Sequence, residues 1–254
     1  MTRRRWIADE GSGDTAALLG EPAAHLARVL RAEVGQEFDI ATGDEVRRGT
    51  ITTISYDRIE FALGTKQHQS LKLGLPGAAP KITLALAIFK FDRMEWAIEK
   101  CTEIGVARII PVIARRSDAH LVAAAAKRHE RWVRIVRQAA EQSRRAAPPE
   151  IAAAVKLKDL DSVLGDAQEQ EDTQTRVVLA ESLAESEDDK RLADVLPQGA
   201  GEVTLAVGPE GGWADGELSW FYESGWIAAS LGNTILRAET AAIVASALAL
   251  EALR

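Results

Sequence analysis

The chain reads as a small β domain followed by an α/β domain built on a mostly parallel sheet. Three observations predict this. From residue 81 onward, short apolar runs alternate with stretches of helical periodicity, the pattern of strands joined by crossover helices. Two of those runs, Val203 to Val207 and Trp226 to Leu231, stop at glycine-bearing loops, and each loop leads into a helix. Before residue 75 the runs are shorter and separated by turn residues, as in a small barrel.

In the β domain, Phe38 to Ala41 is a strand that enters the turn Thr42-Gly43-Asp44. Arg48 to Ser55 and Arg58 to Leu63 follow, split by Tyr56-Asp57. One helix interrupts them; Pro22 opens it, and His25, Leu26, Val29 and Leu30 carry its apolar face. His25 reads as a residue that fixes the loop running to Gly35. Leu73 to Pro80 holds two prolines and two glycines, so it is the linker. The predicted domains are therefore 1–74 and 80–254.

Ile82 to Ile88 is a buried strand. A helix from Lys90 follows, with Met94, Ala97, Ile98 and Cys101 at helical spacing and Gly105 closing it. Glu95 and Glu99 read as its solvated face. Arg108 to Ile113 is the next strand, with Arg115-Arg116 at its carboxyl end. A long helix from about Val122 to Arg145 buries Trp132, Ile135, Val136, Ala139 and Ala140. Arg128, Arg131, Arg134 and Arg137 flank that face, with only Glu130 and Glu141 nearby to pair them. The stripe fits either a solvated face or a phosphate-binding one. Val177 to Ala180, which includes Leu179, is a further strand. The acidic stretches 168–172 and 185–189 read as solvated loops.

Charge is segregated along the chain. Residues 1–80 carry a net of −1. Residues 81–160 carry 16 Lys/Arg against 9 Asp/Glu, a net of +7, whereas residues 161–254 carry 5 against 18, a net of −13. A phosphate backbone responds to the local field rather than to the total of −7, so the middle third is the candidate nucleic-acid face. The single cysteine, Cys101, excludes an internal disulfide, and no Cys/His spacing suggests a metal site. No apolar run reaches a membrane span, and no signal-peptide core is present, which predicts a cytoplasmic protein.

The loop after Val207 is Gly208-Pro209-Glu210-Gly211-Gly212. No Lys-Ser/Thr pair follows it, which excludes a Walker phosphate loop. Pro209 and Glu210 sit where a dinucleotide fingerprint needs a close backbone. After Leu231-Gly232 come Ile235-Leu236-Arg237 and Glu239-Thr240-Ala241. Taken together, Val207 to Gly212, Leu231-Gly232, Ile235 to Arg237 and Glu239 to Ala241 resemble the RsmE-type ribosomal RNA methyltransferases of the SPOUT class. Thr234 stands where that family usually has arginine.

The resemblance implies a trefoil-knotted α/β domain behind an N-terminal PUA-like, RNA-binding β domain, which the pattern His25, Val29, Leu30, Arg31 and Gly35 also resembles. It implies S-adenosylmethionine as cofactor, a homodimer whose interface includes the last helix, and methylation of uridine N3 in 16S rRNA, at the base numbered 1498 in the ribosome. The cofactor residues it implies are Leu179, Val207, Gly208, Pro209, Gly211, Gly212, Leu231, Gly232, Ile235 and Leu236. Arg237 is the expected stabiliser of the uridine anion; Glu239 or Glu210 is the proton acceptor, or instead caps a loop or helix. RNA contacts are expected from Arg4, Arg5, Arg31, Lys90, Arg116, Arg144 and Arg145. Two rival classes are an RNA-binding module without catalysis and a ribose 2′-hydroxyl methylator.

Overall fold

The protein is described by a computed structural model covering residues 4–43, 45–66, 81–165, 174–180, 190–199 and 201–253. The expected linker, 73–80, and the acidic stretches 168–172 and 185–189 lie outside the described residues. The chain divides into two compact units, Met1–Gly74 with Arg137–Pro148, and Leu75–Val136 with Pro149–Arg254.

The first unit is one curled sheet. Its strands are β1 (Trp6–Ile7), β2 (Glu10–Ser12), β3 (Thr15–Leu19), β4 (Glu37–Thr42), β5 (Glu45–Ile54) and β6 (Arg58–Lys66), in the order β1-β4-β5-β6-β3-β2. One segment supplies both edges. Ala8 N–H donates to the Ala41 carbonyl of β4, and Asp9 N–H donates to the Ala17 carbonyl of β3, so the sheet curls back on itself. The expected helix is α1 (Gly20–Ala24), which runs on into a π-helical turn at His25–Val29. The His25 ring packs against Trp6, with centroids 6.1 Å apart. Trp6, Leu18, Leu26, Ile40, Ile51, Ile59 and Phe61 fill the interior.

Residues 137–148 belong with this unit rather than with the α/β unit, and a buried carboxylate is part of the reason. Glu141 pairs with Arg4 and with Arg137, whose guanidinium also donates to the Ile7 carbonyl at 2.7 Å. Arg137 pairs in addition with Asp9, and that hydrogen bond is the main reason its pKa is raised.

The second unit is a parallel sheet with helices on both faces. Its strands are β7 (Lys81–Ala87), β8 (Arg108–Ile113), β9 (Glu150–Ile151), β10 (Val155–Lys156), β11 (Gln174–Leu179), β12 (Glu202–Val207) and β13 (Ile227–Ala229). The order is β10-β8-β7-β12-β11-β13, with β9 also beside β8. The period of two sorts each strand between two cores. Ile82, Leu84, Leu86, Val177 and Leu205 face one side. They pack with α2 (Phe91–Ile104), α3 (Ala119–Gln142) and α7 (Ala238–Ala252) through Met94, Ile98, Trp132, Ala242, Ala245 and Ala249. Ala85, Ala87, Val178 and Ala206 face the other side, where α4 (Leu160–Leu164) and α6 (Asp215–Glu223) bring Leu160 and Phe221 against Trp213 and Trp226. α5 (Leu192–Val195) adds Leu192 to the first core. Among the described residues no helix is long and apolar enough to cross a membrane.

The Arg stripe of α3 finds carboxylates that are distant in sequence. Glu95, expected on a solvated face, is buried, and it accepts from Arg131 at 2.7 Å and Arg128 at 3.3 Å. That expectation was wrong because helical periodicity says which side of α2 is apolar, not which neighbouring helix covers its polar flank.

Candidate active site

Because the strands are parallel, their carboxyl ends share one edge, where ligands of α/β proteins gather. Loops after β11, β12 and β13 meet there around a cavity of about 580 Å³. This lies in the usual range for small-molecule sites, roughly 300–1,000 Å³. Each of the ten expected cofactor residues lines it: Leu179, Val207, Gly208, Pro209, Gly211, Gly212, Leu231, Gly232, Ile235 and Leu236. Glu210, Thr234 and Arg237 line it as well.

The loop after β12 is held in shape by local contacts. Gly212 N–H donates to the Pro209 carbonyl at 2.8 Å, closing a turn that needs φ +67° at Gly212. Gly232 likewise has φ +117°. Both angles suit glycine and strain other residues. Trp213 is buried behind the loop, and its indole N–H donates to the Leu179 carbonyl at 3.2 Å. Glu217, in the first turn of α6, accepts from the Ala214 N–H at 2.9 Å and the Arg115 N–H at 2.7 Å.

Two arginines pin this loop, and only one of them carries a signal in the sequence. Arg116, expected to contact RNA, lines the cavity and donates from Nη1 to the carbonyls of Gly211 at 2.8 Å and Trp213 at 3.0 Å. Arg93, in the first turn of α2, donates to Glu210 at 3.0 Å, and its Nε lies 3.8 Å from Glu239. Nothing in the local pattern marks Arg93, because both carboxylates are more than a hundred residues away in sequence.

The three expected catalytic residues occupy different settings. Arg237 caps the start of α7, is exposed, and has no side-chain ion pair or hydrogen bond among the described residues. Glu210 is exposed at the cavity wall. Glu239 is only 5% exposed and does not line the cavity; its Oε2 has no hydrogen-bond partner among the described residues. Ile235, by contrast, is 81% exposed at the cavity rim.

The other expected RNA residues fall in both units. Lys90 is exposed at the start of α2. In the first unit, Arg4 pairs with buried Glu141 and lies over the Trp6 ring at 4.8 Å. Arg5 donates to the Arg144 carbonyl, and its burial lowers its pKa. Arg31 and Arg144 are exposed in left-handed backbone, with φ +51° and +60°. Arg145 is half-buried, and desolvation lowers its pKa.

The cavity can hold a small molecule. Leu179, Val207, Leu231 and Leu236 offer apolar wall, the glycine loops offer backbone, and Glu210, Arg93, Arg116 and Arg237 bring charge to the lining, with Glu210 paired to Arg93. A family model for an RNA methyltransferase domain matches residues 77–250. The ribosomal RNA small subunit methyltransferase E of Synechocystis is 34% identical over 227 residues, spanning 88% of this chain and 68% of that relative. Its Bacillus subtilis counterpart is 28% identical, over 91% of this chain and 88% of the relative. A Neisseria gonorrhoeae ribosomal RNA small subunit methyltransferase E bound to S-adenosylmethionine superposes with a TM-score of 0.77 at 29% identity, covering 96% of this chain and 95% of that one. A Legionella pneumophila putative methyltransferase with bound S-adenosylmethionine superposes with a TM-score of 0.79 at 28% identity, covering 98% and 97%. With this match spanning both the glycine loops and the sheet that carries them, the chain belongs to the RsmE-type ribosomal RNA small subunit methyltransferases.

Proposed function

We propose that the protein transfers the methyl group of S-adenosylmethionine to N3 of a uridine in 16S rRNA. The observation that carries this reading is the convergence of both glycine-bearing loops, with Arg237, on one cavity. Leu179, Val207, Leu231 and Leu236 would hold the cofactor's apolar parts, and the backbone of 208–212 and 231–236 its polar ones. Bound there, the cofactor supplies a methyl already activated by its sulfonium.

The remaining work falls to this chain's residues. Uridine N3 must lose a proton, and the resulting anion spreads onto the flanking carbonyl oxygens. Arg237 stabilises that charge, a reading supported by its exposure at the cavity wall and its lack of a partner among the described residues. Glu210, which lines the cavity, is the proton acceptor in this reading, with Glu239, buried behind the wall, as the alternative. Positioning accounts for much of the rate. The base must first be unstacked, at about a few kcal/mol.

Residues 1–74 are read as the PUA-like RNA-binding domain, with 137–148 packed onto them, and the rest of 80–254 as the knotted SPOUT domain. Lys90, Arg31, Arg144 and Arg145 are read as phosphate contacts. The protein acts in the cytoplasm as a homodimer. Leu248 on α7 and Trp96 on α2 are exposed apolar side chains that support an interface on those helices. Calorimetry with S-adenosylmethionine, followed by transfer of labelled methyl to unmodified small subunits, tests the reading. Label recovered as 3-methyluridine is expected; label on a ribose or on another base would refute it.

A further inference from the structure

Arg93 stands against a local rule. It is the third residue of α2, where a cation opposes the helix dipole, and its side chain does not simply extend into solvent. Its guanidinium forks between two carboxylates on separate elements, with Nη1 at 3.0 Å from Glu210 on the loop after β12 and Nε at 3.8 Å from Glu239 on the first turn of α7. The Glu210 loop and the residues leading into α7 both wall the cavity that Arg93 itself lines. Glu239 is buried with one oxygen lacking a hydrogen bond among the described residues, so the arginine is the cation that compensates it.

We propose that Arg93 is a positioning residue, a latch that ties the Glu210 loop to the start of α7 and so sets the shape of the cofactor cavity. The proposal rests on the cavity being the cofactor site. It separates two roles that truncation usually confounds. Arg93 and Glu210 side chains are 32% and 38% exposed, and ion pairs at such exposure add little to stability. The Glu210 arm of the latch therefore changes the site far more than it changes the fold, while the arm to buried Glu239 also supports the fold.

The test is a double-mutant cycle on cofactor affinity, read by calorimetry, with melting measured in parallel. Arg93→Ala and Glu210→Gln should each weaken S-adenosylmethionine binding about tenfold, and the double variant should bind no worse than either single one, as expected for two groups acting as a unit. Arg93→Lys should recover only part of the affinity, because an ammonium cannot present the planar fork that reaches both carboxylates. The melting midpoint of Glu210→Gln should stay within about 2 °C of wild type, whereas Arg93→Ala, which also strips buried Glu239 of its cation, should melt lower. Wild-type affinity in Arg93→Ala, or losses that multiply in the double variant, would overturn the latch. If the wild-type protein itself fails to bind S-adenosylmethionine, the functional reading falls and takes the latch with it.

Discussion

Replacing Arg237 by alanine separates chemistry from architecture. The side chain is exposed, and among the described residues it makes no ion pair or hydrogen bond. Glu210 and Glu239, the carboxylates it could have braced, are engaged by Arg93 instead. Its removal should therefore cost the fold no more than a surface substitution, about 0.5 kcal/mol, or roughly 1–2 °C in melting temperature for a chain of this size. If Arg237 stabilises the uridine anion, turnover should fall about a hundredfold, roughly 2.7 kcal/mol, the scale of removing one preorganised donor. Methyl transfer to unmodified small subunits at saturating cofactor measures this, with calorimetry to confirm unchanged cofactor affinity. Arg237→Lys should recover part of the rate, and raising the pH should partly rescue the alanine variant, because more of the uridine is then already ionised. A variant that binds cofactor poorly yet turns over normally at saturation would make Arg237 a brace and exclude it from the chemistry.

The remaining expectations concern the loop, the RNA face and the cores. Gly212→Val forces a β-branched residue into φ +67°, a strain of about 1–3 kcal/mol, so S-adenosylmethionine binding should vanish in calorimetry while circular dichroism stays native. Removing Arg144 and Arg145 together should flatten the salt dependence of RNA binding by roughly 0.7–0.9 log unit for each phosphate no longer neutralised; an unchanged slope would take both off the phosphates. Glu141→Ala leaves Arg4 and Arg137 without their buried carboxylate and should cost about 3–5 kcal/mol in denaturant unfolding. Burial pushes the Cys101 thiol up to about 12 from 9.0, so only the unfolded chain ionises there between those values; stability should decline as pH rises from about 9 to 12, and Cys101→Ala should remove that component.

The parts of this protein legible in the sequence are those governed by short-range rules. Strand period and glycine loops depend on neighbouring residues, and α2 begins at Phe91, one residue after the Lys90 start that its periodicity predicts. The cavity wall was legible for the same reason, since two contiguous motifs contribute most of it. What escaped depends on partners far along the chain. Glu95 reads as solvated until α3 brings Arg128 and Arg131 over it. Arg116 reads as an RNA contact, and nothing near it in the sequence announces the two carbonyls that the loop after β12 offers it. Arg93 has no local signature at all, because its meaning comes from Glu210 and Glu239. The grouping of residues 137–148 with the β unit is likewise a matter of Glu141 and Arg137 meeting the N-terminal strand.

Everything proposed for the cavity turns on one product, a uridine of 16S rRNA methylated at N3. Mass spectrometry of nuclease-digested 16S rRNA from a strain lacking the gene looks for that product itself. One 3-methyluridine should disappear, the wild-type gene should restore it, and a gene carrying Arg237→Ala should restore little of it. A 3-methyluridine that persists in the deletion strain, or a different modification missing in its place, would contradict the assignment.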